Sequence, residues 1–68
     1  MRNYYTIDAE KLTKIVEIVN LETDPAATEE LIEAHICADW HEGAEHQAWI
    51  DNARPQEIAD WVAATAYS

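Results

Sequence analysis

Residues 35–46 read HICADWHEGAEH and gather all three histidines and the only cysteine of the 68-residue chain. Imidazole and thiolate are the usual protein ligands of zinc, so this stretch is the first place to look for chemistry. On a continuous helix Cys37 and His41 stand one turn apart and both reach a single ion. His35 lies about a third of a turn away on the apolar side, and His46 follows the only glycine, Gly43. Asp39, Glu42 and Glu45 supply carboxylates to complete a shell. The ligand types suit zinc, but the spacing matches no paired CxxC or HxxxH arrangement. Cys37 and His41 therefore stand as weak metal candidates, in a chain for which no metal or cofactor is expected.

Each member of the stretch also has an ordinary structural role. His35 and His46 fall on apolar faces, where an imidazole packs its ring and bonds one nitrogen to a neighbour. His41 sits in the last turn of the second helix, where a cation interacts favourably with the helix dipole. Cys37 behaves as a small hydrophobe. A Cys–His nucleophile needs an electropositive setting and an orienting third group. Glu30, Glu33 and His41 surround Cys37 on a helix, and the anions push its pKa up. The sequence holds no Gly-rich phosphate loop and no GxSxG. An enzyme is not expected.

Those residues must be positioned by helices. An all-α fold is expected, a compact bundle of three to four short helices over about 8–20, 25–42, 44–52 and 55–66, as one small acidic domain. Asp8 is placed to cap the first helix, with Ile7 and Leu12 as a hydrophobic staple. Leu12, Ile15, Val16 and Val19 recur at helical spacing, with Ile18 just outside the stripe. Asp24 and Pro25 read as cap and first residue of the second helix, and Gly43 as its left-handed stop. Leu31, Ile32 and Ile36 then share a face with His35. His46, Trp49, Ile50 and Ala53 mark the third helix; Ile58, Trp61, Val62, Thr65 and Ala66 mark the fourth. Arg54 is a poor cap before Pro55. Some β character is plausible only in the opening NYYTI.

A chain of this length buries only about 60 % of the surface it exposes when unfolded, so a homodimer that completes the core, with Ile18 and Trp40 as its contact residues, is an alternative. One cysteine excludes an internal disulfide. No stretch approaches the roughly 20 apolar residues of a membrane span, and the first residues have no apolar signal core. A cytoplasmic location is expected.

Charge is the strongest signal. Fourteen acids face four bases, for a net −10. Residues 1–14 hold Arg2, Lys11 and Lys14 against Asp8 and Glu10, while residues 15–68 hold every other acid against Arg54 alone. Direct nucleic-acid binding and anionic membranes are disfavoured, since both require basic groups. Disorder is equally disfavoured in a chain that is 49 % apolar with three Trp and three Tyr.

Helical spacing turns Glu29, Glu30 and Glu33 outward, and Asp39 and Glu42 continue that row. Glu45 and Asp51 face out from the third helix, and Glu57 and Asp60 from the fourth. Carboxylates one turn apart lie roughly 5–6 Å from one another, on the scale of the about 3.4 Å rise between phosphates of one strand. Trp40 falls on the acidic side of the second helix. It reads either as a binding hot spot with a charged rim or as a ring buried against the third helix. In size and charge the chain resembles the small acidic inhibitors that phages and mobile elements use against host defence, including anti-CRISPR and antirestriction proteins that imitate nucleic acid. The resemblance lies in composition and no motif carries it. It implies a non-enzymatic protein that docks onto the basic surface of a nucleic-acid-handling partner and blocks it. A homodimeric interaction module and a metal-binding regulator using Cys37 and His41 are the alternatives.

Overall fold

The computed structural model describes residues 5–41 and 44–67, and within them the chain forms four helices and no strand. The expected all-α bundle is what forms. Its radius of gyration, 11.2 Å, matches the roughly 11 Å of a close-packed chain of this length. Among the described residues no helix is long and apolar enough to cross a membrane.

Asp8 starts the first helix as its position suggests. Its carboxylate accepts the amides of Glu10 and Lys11 at 3.1 and 3.4 Å, which satisfies two of the four orphan donors of a helix start. Helix α1 runs Ala9–Glu22. Leu12, Ile15 and Val19 are buried on it, and Val16 and Ile18 pack against the same core. Ile18 thus widens the core face.

The second helix is a correction. Asp24 and Pro25 do not open it. The Asp24 carbonyl accepts the Ala27 amide at 3.0 Å and its carboxylate accepts the Ala26 amide at 2.9 Å. Asp followed by Pro is also the favoured opening of a β-turn, and here the turn wins. Thr28 then caps α2, Glu29–Ile36, through its hydroxyl to Leu31 N–H at 3.3 Å. Glu29 and Glu30 fall in the first turn, where negative charge suits the helix dipole. The helix also ends at Ile36, short of the expected residue 42. The stop assigned to Gly43 lies outside the described residues.

Helix α2 is two turns long and buries only Ile32 and Ile36, followed by Cys37. Leu31, expected on that face, is 61 % exposed. Helices α3, Ala44–Asn52, and α4, Pro55–Ala66, match their expected bounds. Arg54 has no acceptor with which to cap α4, but Glu57 reaches back to the Arg54 amide at 3.4 Å. Ile58, Ala59 and Val62 are buried on α4, while Thr65 and Ala66 are exposed, contrary to expectation. Tyr5–Ile7 is neither helix nor strand; Asn3 and Tyr4 lie outside the described residues.

Helix α1 packs most extensively on α4, and α2 rests against both. Ile50 and Ala53 close the core from α3 and its end. No buried residue among those described is polar or charged. Truncating one of these isoleucines to alanine costs about 2–5 kcal/mol, a large share of the roughly 3–10 kcal/mol that holds a chain of this size folded.

Candidate functional site: an acidic groove beside a histidine and tryptophan cluster

A helix leaves its last carbonyls without partners. At the end of α2 three of them are met from elsewhere. His41 Nε2 donates to the His35 carbonyl at 2.8 Å, and His46 Nε2 donates to the Ile36 carbonyl at 2.9 Å. The Tyr5 amide donates to the Cys37 carbonyl at 3.3 Å. A carbonyl only accepts, so Nε2 carries the proton in both rings. These are the carbonyls that a longer helix would have used, which is why α2 stops at Ile36. The chain turns at once, with His41 N–H returning to the Ala38 carbonyl at 3.3 Å.

The third histidine is held differently. His35 Nε2 lies 2.7 Å from the Thr65 hydroxyl, which donates its own hydrogen to the Trp61 carbonyl at 2.8 Å. The Thr65 oxygen therefore accepts, and Nε2 is protonated here too. Burial, and then the neighbouring His41, hold the His35 pKa below its ordinary 6.5.

The rings form one cluster. His41 stacks on His46 with centroids 4.2 Å apart and meets Trp40 at 3.6 Å. His46 lies 5.5 Å from Trp49, and Tyr5 meets it edge-on at 4.7 Å. Trp49 and Trp61 pack together at 5.3 Å. The histidine-rich stretch is thus the structural end of a helix, tied to α3 and α4 by aromatic packing.

Among the described residues this arrangement departs from the helical geometry that the metal reading assumed. Cys37 and His41 are not one helical turn apart, because the helix has ended, and His41 Nε2 is committed to a carbonyl. Among the described residues no group of three or more His, Cys, Asp and Glu is placed to hold an ion. Cys37 is buried. Its pKa is raised, as the sequence suggests, although burial is the larger cause and Glu33 the smaller. A buried thiol of raised pKa is a poor nucleophile.

The acidic residues are displayed. Glu29, Glu30 and Glu33 are exposed on α2, Glu45 and Asp51 on α3, and Glu57 and Asp60 on α4. Asp39 is half-buried in the turn after α2, and Glu42 lies outside the described residues. Several carboxylates are engaged by neutral amides. Gln56 donates to Glu22 at 3.2 Å and to Asp60 at 2.8 Å, bridging α1 and α4. Gln47 donates to Asp51 at 3.0 Å while pairing with the Thr6 backbone in both directions at 2.9 Å. Lys11, which α1 carries towards α3, directs its ammonium at the carbonyls of Ile50, Asp51 and Ala53 at 2.8–3.1 Å. Amides satisfy lone pairs without neutralising charge, so these contacts preserve the negative potential.

One groove concentrates the candidates. A cavity of about 590 Å³ runs between Tyr5–Ile7 and α2 and continues to Trp40. Glu30, Glu33 and Asp39 line it, over Ile7, Ala34, Cys37 and Ala38. Trp40 is 59 % exposed at one end. It stands beside the carboxylates, in the turn after α2 and not on the helix. Of the residues expected to bind a partner, the structure brings Glu30, Glu33, Asp39 and Trp40 to this groove. Glu45, Asp51, Glu57 and Asp60 lie on other helices. Tyr5, Thr6 and Ile7 also line it, brought there by tertiary contacts of Tyr5 with Cys37 and of Thr6 with Gln47 that no local pattern signals. No family model, curated protein or solved structure matches this chain.

Proposed function

We propose that the chain is a non-enzymatic acidic binding protein. It docks onto the basic surface of a nucleic-acid-handling protein and blocks access to it, in the manner of phage-type anti-CRISPR or antirestriction inhibitors that imitate nucleic acid. The observation that carries this reading is the display of carboxylates on a scaffold whose buried residues, among those described, are all apolar, and where an amide bridges two of the acids. A net charge of −10 on a rigid body steers a cationic partner and repels nucleic acid and anionic lipid. Association is then fast and weakens as salt rises. Affinity capture from a lysate at low salt tests the reading. A basic nucleic-acid-binding protein should be retained, and several hundred millimolar salt or excess oligonucleotide should release it. Retention of a partner that neither treatment displaces contradicts it.

A second reading is favoured by Leu21 and Leu31, which are 86 % and 61 % exposed. Two such leucines suit a homodimer that covers them. Its stability depends on protomer concentration, so a melting temperature that rises with concentration supports it and a constant one with monomeric mass removes it.

A further inference from the structure

We propose that the groove between Tyr5–Ile7 and α2 receives an arginine side chain from the basic partner, an inference that rests on the docking reading above. Three features of different kinds meet there. The first is space: about 590 Å³ lies within the range of about 300–1,000 Å³ typical of ligand sites. It admits a side chain with the backbone that carries it. The second is charge of one sign among the described lining residues. Glu30 and Glu33 stand one turn apart on the same exposed side of α2 and line the groove. Glu33 also acts inward, since its charge contributes to the raised pKa of the Cys37 thiol at the groove floor. The third is an aromatic side chain, Trp40, a residue 59 % exposed.

Arginine matches all three together. Its methylene stem covers the apolar floor of Ile7, Ala34 and Ala38, as long cationic side chains do. The planar guanidinium stacks on indole and presents a fork of donors to carboxylates, whereas lysine offers a compact, strongly hydrated point charge. A cation facing Trp40 also gains from the ring's negative face. His41 lies against the indole, with ring centroids 3.6 Å apart.

The test is an NMR titration of the isotope-labelled full chain with the blocked peptide acetyl-Gly-Arg-Gly-amide, and with its lysine and norleucine counterparts. The arginine peptide should saturate and shift the Trp40 indole N–H and the amides of Glu30, Ala34 and Ala38. Lysine should bind more weakly, and norleucine should leave these signals in place. The double variant Glu30→Gln with Glu33→Gln should weaken binding roughly five- to tenfold, and Trp40→Leu about two- to five-fold. Glu57→Gln with Asp60→Asn should change it by less than about two-fold. All these positions are exposed, and amide dispersion confirms that each variant stays folded. Shifts confined to the α4 acids, equal binding of lysine, or Trp40 signals that move with protein concentration alone would overturn the groove assignment. They leave the docking reading to the capture experiment. Saturable arginine binding supports the groove even if capture finds no salt-labile basic partner, in which case the docking reading alone has failed.

Discussion

The ammonium of Lys11 stands 2.8 Å from the carbonyl oxygen of Ile50. With Asp51 and Ala53 at 3.1 and 2.9 Å, it closes the C-terminal end of α3 by a cation placed where the helix dipole is negative. One of only four bases in the chain is thereby committed to backbone oxygens. Lys11→Met should destabilise the fold by about 1–3 kcal/mol, a drop of roughly 5–20 °C in melting temperature for a domain of this size. Lys14→Met removes the same charge from an exposed site and should cost under about 0.5 kcal/mol. Equal losses in the two variants would show that net charge, not capping, is what Lys11 provides.

Thr28 gives a prediction whose sign discriminates between two starts of α2. As the cap observed here, Thr28→Ala should cost about 1 kcal/mol. Had the helix begun at Pro25, Thr28 would be an interior position, where the same change stabilises by roughly 0.5 kcal/mol. Urea midpoints of the two proteins decide.

The error at Asp24 and Pro25 shows what local sequence leaves undecided. The pair serves as a cap with its first helical residue or as the opening of a turn, and the choice depends on whether Thr28 can cap better three residues on. Asp8, Leu12, Ile15 and Val19 were legible because cap chemistry and helical spacing agree there. The outward acids were legible because a carboxylate is too costly to bury without a partner. Leu31 is exposed, against its pattern, because a two-turn helix resting on two neighbours buries a narrower stripe than its apolar spacing suggests. The groove was invisible, since Tyr5 meets Cys37 and Thr6 meets Gln47 only through the tertiary fold.

His35 predicts a pH dependence. Its folded pKa lies below 6.5, so between that value and 6.5 the unfolded chain binds more protons than the folded one. Stability from this group is full above about pH 6.5 and declines as pH falls towards the folded pKa. His35→Gln keeps a donor for the Thr65 hydroxyl and does not titrate. Between about pH 7.5 and 5, wild type should lose stability relative to His35→Gln. Parallel stability curves would remove His35 as the titrating group.

His46→Ala leaves the Ile36 carbonyl without its donor and removes a ring from the cluster that joins Tyr5, Trp49 and Trp61. A loss of about 1–3 kcal/mol is expected in thermal or urea unfolding. Addition of a chelator to wild type should leave its melting temperature unchanged, because these imidazoles cap a helix. A chelator-dependent melt would restore the metal reading.

The claim that negative charge on a rigid scaffold does the work is tested most directly by removing charge alone. A variant carrying Glu29→Gln, Glu30→Gln, Glu33→Gln, Glu57→Gln and Asp60→Asn keeps side-chain shape at five exposed positions. With circular dichroism confirming an unchanged helical fold, it should no longer capture the basic partner that wild type retains at low salt. Capture of the same partner by the folded variant, with the same salt dependence, would contradict the account.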